Sequence, residues 1–173
     1  VAHPHWSLNT ASTLMAIRDA TAAEVYNTMS YLRPDSSHIL DVMASRGKLY
    51  PLVASDDTHE YAGEECVSYT MVQAEEPTPE LIKAAMDAGR FYASQGPRIE
   101  QLTLADGRLT VRCSPVSRVY FHSNLQWTPN RAVIGEGITQ ASYKLFTDHG
   151  ERFIRCQVID GAGRSAWSSP MAL

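Results

Sequence analysis

The residue pattern changes character near residue 98, and no single kind of layer accounts for both sides of that change. Up to residue 97, short apolar runs alternate with helical stretches. Thr13–Ala20 (TLMAIRDA) carries apolar residues at helical spacing, and Ala23–Tyr26 (AEVY) is short and β-prone. In Ser36–Arg46 (SSHILDVMASR), Ile39, Leu40, Val42 and Met43 fall on one side of a helix that Gly47 can stop. Leu52–Ser55 (LVAS) and Cys66–Ala74 (CVSYTMVQA) read as strands. In TPELIKAAMDAG, Thr78 is a helix cap, Pro79 occupies the first helical position and Gly89 ends the helix. Strand–helix–strand order predicts an α/β layer with mainly parallel strands for 1–97.

Residues 99–173 lose the helical period. Ile99–Leu104, Leu109–Cys113, Arg118–His122, Ser142–Phe146, Phe153–Ile159 and a short run near Trp167 are strand-like. Asp106-Gly107 between two such runs predicts a tight hairpin turn with φ > 0 at both positions. Asp160–Arg164 (DGAGR) predicts a second turn of the same sort. These features predict a small antiparallel β-sandwich over 98–173, with the boundary near Gln95-Gly96-Pro97.

Composition narrows the function classes. With 173 residues, 44% apolar and 20% charged, the chain can bury a core. Its net charge of −4 argues against a large nucleic-acid footprint. No apolar run approaches the roughly 20 residues of a membrane helix, and no basic stretch precedes an apolar run as in a signal peptide. A first residue Val rather than Met reads as a cut or trimmed chain. Cys66, Cys113 and Cys156 form no CxxC pair, which excludes a zinc knuckle, and their odd number reads as reduced, buried thiols in a cytoplasmic setting.

Two clusters carry chemistry. In AHPHWSL, His3 and His5 flank a rigid Pro4 after a short apolar start. In SDDTHEY, Asp57 and His59 follow the strand LVAS, two residues apart, so an extended backbone places them on one face. The carboxyl ends of parallel strands are where α/β folds hold their chemistry. Imidazole and carboxylate converging there suit a divalent zinc, manganese or iron ion. Asp56 reads as a turn cap. His38, His122 and His149 are isolated and read as surface or structural residues.

The order AHP, EVYN, LVASDDTH, AGRFYASQGP resembles the later half of bacterial PHP-domain proteins, the polymerase-and-histidinol-phosphatase superfamily of metal-dependent phosphoesterases. SPVSRVYF and GRSAWSSPM resemble the C-terminal β-domain that one branch carries, so the resemblance spans essentially the whole chain. It implies that residues 1–97 are the later part of a distorted (β/α)7 barrel whose first strands lie outside this chain. It implies His3, Asp57 and His59 as metal ligands and His5 as a further ligand or as the proton donor to a leaving oxygen. The resemblance then implies hydrolysis of a phosphomonoester or phosphodiester by a parent protein, on a phosphorylated small molecule, with zinc, manganese or iron at a site incomplete in this chain. Arg90 and Arg98 are candidates for the substrate phosphate, since a guanidinium fork suits phosphate oxygens, beside an ordinary surface reading. The missing N-terminal half of the barrel, or another copy, is expected to cover the open edge.

A rival expectation is that the chain, or its β-domain, is a non-catalytic binding or packing module. Tyr120, Trp127 and Trp167 are its aromatic candidates; Trp127 in the polar loop NLQWTPN suits stacking on a ligand, and Trp167 is expected to fill the sandwich core.

Overall fold

A computed structural model of the chain describes residues 1–60 and 63–173. Its elements are α1 (Ala11–Ala16), β1 (Ala23–Asn27), α2 (Ser37–Ser45), β2 (Leu52–Ser55), β3 (Tyr69–Val72), α3 (Pro79–Asp87) and β4 (Phe91–Ser94). These are followed by β5 (Ile99–Ala105), β6 (Arg108–Ser123), β7 (Ala132–Lys144), a 3-10 turn at Thr147–His149, β8 (Phe153–Ile159), β9 (Ser165–Trp167) and β10 (Met171–Ala172).

Local signals act as the sequence predicts at several places. Thr78 caps α3 by accepting a hydrogen bond from the Leu81 N–H, Pro79 opens the helix and Gly89 follows it at φ 69°. Asp106 and Gly107 turn the chain from β5 into β6 with φ of 50° and 67°, the left-handed pair that a type I′ turn requires. In Asp160–Arg164 only Gly163 has positive φ, and the Asp160 carboxylate closes the loop by accepting from Ala162 and Arg164 N–H groups. Helices of six to nine residues are not stable alone. α1 and α2 persist because Leu14, Leu40 and Met43 are buried, each worth about 1.5–3 kcal/mol.

The expected α/β layer and barrel portion do not form, which corrects the fold class. The chain is mostly antiparallel sheet, with three short helices among the described residues and no closed barrel. The expected barrel portion therefore has no counterpart among the described residues. Among the described residues only β1 and β2 pair in parallel, Ala23 opposite Leu52 and Asn27 opposite Ser55. β3 and β4 are joined through α3, a connection long enough for a parallel crossover. Yet β4 returns antiparallel, Tyr69 opposite Ser94 and Val72 opposite Phe91. Strand–helix–strand order specifies which elements occur and leaves their direction open.

What turns β4 is its second neighbour. β4 pairs antiparallel with β9, so β3 and β4 join one eight-stranded sheet of order β3-β4-β9-β8-β6-β5, with β10 beside β8 and β7 beside β6. The sheet runs across residue 97 without a break. Register shifts along the β6–β7 pair between Arg112 and Arg118 mark bulges, which bend a strand. β6 pairs with β5 before them and with β8 after them, and both halves feed one buried cluster that includes Leu109, Val111, Phe121, Tyr143 and Val158.

A second buried cluster joins Leu14, Val25, Met43 and Leu52 to Ala93 and Trp167. Trp167 thus leaves the sandwich core it was expected to fill. Successive residues of a strand face opposite ways. Ala166 points into the first cluster and Trp167 into the second, where it stacks on Tyr26 at 5.7 Å between ring centroids. No helix among the described residues is long and apolar enough to cross a membrane.

Candidate functional site

The carboxyl ends of β1 and β2 and the N-terminal residues meet at one cavity. Val1 donates its N–H to the Ala22 carbonyl and accepts from the Glu24 N–H, bracketing Ala23 as a neighbouring parallel strand would. His3 runs on alongside β1, its N–H bonded to the Glu24 carboxylate, and Asp57 and His59 follow the end of β2. His3, Asp57 and His59 together line a cavity of about 490 Å³, with Trp6, Met29 and Ser30.

The supporting network was not legible beforehand. Glu24 accepts from the His3 backbone N–H at 2.6 Å and from the Ser55 hydroxyl at 2.6 Å. The Asn27 amide donates to Glu24 at 3.0 Å and to Asp57 Oδ2 at 3.4 Å. One carboxylate thus ties the segments bearing His3 and Asp57 to the middle of β1. The available signal was an acidic residue and an amide inside the apolar strand AEVYN. His3 and Asp57 both hold positive φ, 28° and 58°, a conformation sparsely used by side-chain-bearing residues and found at functional sites. The His3 ring is steadied by Ser7 Oγ at 2.8 Å from Nδ1 and by the edge of Trp6 at 4.9 Å, leaving Nε2 for other partners.

The loop after β2 is held by carboxylates. Asp56 accepts from the Thr28 hydroxyl and from the Val67 and Ser68 N–H groups, so it ties distant segments together rather than capping the adjacent turn expected for it. Glu64 accepts from the backbone N–H groups of Glu60 and His59, which hold its carboxyl below the usual range. Tyr61, the last residue of the SDDTHEY cluster, lies outside the described residues.

Other expected site residues lie elsewhere. His5 is exposed and its Nδ1 is 2.7 Å from the Asp35 carbonyl, so it does not reach the cavity as a proton donor or ligand. Arg90 lines a different cavity of about 670 Å³ with Phe91, Tyr92 and Met171. Arg98 is exposed at 3.9 Å from Glu100. Neither arginine faces His3, Asp57 and His59.

The chemistry of the donor set, two imidazoles and a carboxylate, is that of a divalent-metal shell. Its placement is not. Among the described residues, no three His, Cys, Asp or Glu side chains are grouped closely enough to hold an ion. The expected metal-binding character of a PHP barrel is corrected accordingly: among the described residues these donors border a cavity without being grouped around an ion. No protein-family model, curated protein or solved structure matches the chain.

Proposed function

We propose that the cavity bearing His3, Asp57 and His59 is one wall of a hydrolytic site for phosphoesters, completed by groups from outside these 173 residues. The observation that carries this reading is the convergence of two imidazoles and a carboxylate on one cavity at the carboxyl ends of parallel segments. A divalent ion held by His3, Asp57 and His59 together with further ligands would supply an acidified water and neutralise phosphoryl charge. The residues of this chain position: Glu24 and Asn27 hold the His3 and Asp57 segments, and Trp6 narrows the cavity beside His3. The completing ligands belong to an N-terminal segment or to another chain covering the end of β1 and β2, and the substrate is a phosphorylated small molecule.

The test is calorimetric titration of the chain with Zn²⁺ and with Mn²⁺. Because the three donors are not grouped around an ion, their side chains must reorient within the cavity they share; expected is therefore only weak binding of a single ion, which His3→Ala, Asp57→Ala and His59→Ala each reduce about tenfold. Binding that survives all three substitutions unchanged would remove the reading.

A non-catalytic binding module is the second reading, favoured by Trp127. Its side chain is 77% exposed in a loop that Arg131 braces by donating to the Leu125 and Gln126 carbonyls. A large aromatic held out in water suits stacking on a ligand. Trp127→Ala with unaltered folding and unaltered binding to every tested glycan and peptide would count against it.

A further inference from the structure

The outward face of β5, β6 and β7 is a three-by-three grid with one sign of charge. In register across the strands stand Ala105, Arg108 and Lys144, then Thr103, Thr110 and Ser142, then Gln101, Arg112 and Gln140. The alternate residues Leu109, Val111, Ala141 and Tyr143 are buried, so the grid points away from the core. It holds three cations and no carboxylate, in a chain whose net charge is −4. Arg108 and Lys144 are directly opposed, an arrangement that costs stability in an antiparallel pair. No ion pair among the described residues involves either.

These two cations border a cavity of about 660 Å³, well away in the chain from His3 and Asp57. Arg108 Nε donates to Ser142 Oγ at 3.1 Å, and Ser142 Oγ lies 3.0 Å from the Thr110 hydroxyl, so the guanidinium is oriented rather than free. The same cavity also has apolar lining, including Ile134, 71% exposed, and Phe146. Volume, paired cations, a fixed hydroxyl and an apolar lining are the elements of a small-molecule site.

We propose that Arg108 and Lys144, with the Ser142 hydroxyl, bind the oxyanion of a small ligand whose apolar body lies against Ile134 and Phe146. An oxyanion between the two cations removes their mutual repulsion, and the guanidinium offers it a fork of N–H donors. Phosphate and carboxylate share this chemistry.

The experiment is calorimetric titration of the whole chain in EDTA with phenyl phosphate, inorganic phosphate and benzoate. Phenyl phosphate or benzoate is expected to bind in the millimolar range or better, more tightly than inorganic phosphate and less tightly as salt rises. The stronger of the two names the oxyanion. Lys144→Gln, and Arg108→Gln where far-UV circular dichroism shows it folded, weaken that binding about tenfold. Lys144→Arg retains it. His3→Ala leaves it unchanged, which separates this site from the cavity at the ends of β1 and β2. Absence of binding by all three probes at about 10 mM, unchanged affinity in Lys144→Gln, or loss in His3→Ala overturns the proposal. Equal affinity for phenyl phosphate and inorganic phosphate overturns the role of the apolar lining.

Discussion

Arg155 grips both carboxylate oxygens of Asp41, with Nε at 2.6 Å from Oδ1 and Nη2 at 2.7 Å from Oδ2, although 114 residues separate them. The guanidinium is 1% exposed. The pair fastens α2, which packs on the second buried cluster, to β8, which lines the first. A bidentate pair in a dry setting offsets its desolvation only while both members are present. Among the described residues Arg155 Nη1 already lacks a partner, so they offer the site no spare acceptor. Asp41→Ala is therefore expected to lower stability by about 3 kcal/mol, measured by urea unfolding, because it strands a buried charge. Replacing both residues by Leu and Met recovers part of that loss; a single substitution costing under about 1 kcal/mol would mean the pair contributes as a surface one does.

His122 sits against the same pair, with Nδ1 3.7 Å from Asp41 and Nε2 3.1 Å from Gln157 Oε1. Burial first, then the Arg155 guanidinium, push its pKa down to about 4, against a smaller upward pull from Asp41. The folded protein holds this imidazole neutral while the unfolded chain protonates it near the ordinary value of 6.5. Stability from this group is thus full above about pH 6.5 and is lost as pH falls toward 4. Urea midpoints between pH 7 and pH 4 should fall more steeply for the native chain than for His122→Gln. Parallel curves would show that His122 is not held neutral.

The three thiols differ in access. Cys113 and Cys156 are buried and Cys66 is exposed, and none is in a disulfide. Burial raises the Cys113 thiol and pushes Cys156 up to about 11, which keeps both from forming a thiolate near neutrality. Ellman's reagent should label one thiol in the native chain and three in guanidinium, with Cys66→Ser abolishing the native signal. Rapid labelling of Cys156 without denaturant would contradict the packing around β8.

The isolated chain is expected to show no enzymatic turnover of p-nitrophenyl phosphate with Mn²⁺ or Zn²⁺. Its donors border a cavity without being grouped around an ion, so a bound water is not acidified and phosphoryl charge is not neutralised. Robust turnover that disappears in both His3→Ala and Asp57→Ala would show that the chain assembles its own site.

Local chemistry was readable directly from the residues. The Thr78 cap, the Asp106-Gly107 turn and the run Phe153–Ile159 depend on neighbours a few positions away, and each forms where the sequence indicates. His3, Asp57 and His59 line one cavity, but the sequence did not show that their donors stand apart rather than grouped around an ion. Long-range pairing was not readable either. Whether β4 runs parallel to β2 or antiparallel to β9 depends on which edge offers it backbone partners, and a strand's own residues do not encode that choice. The same pairing decided that Trp167 packs on Tyr26 rather than in the cluster around Phe121. Tertiary structure alone placed Glu24 between His3 and Ser55 and Arg155 on Asp41, since a buried charge is tolerated only where the fold brings it a partner.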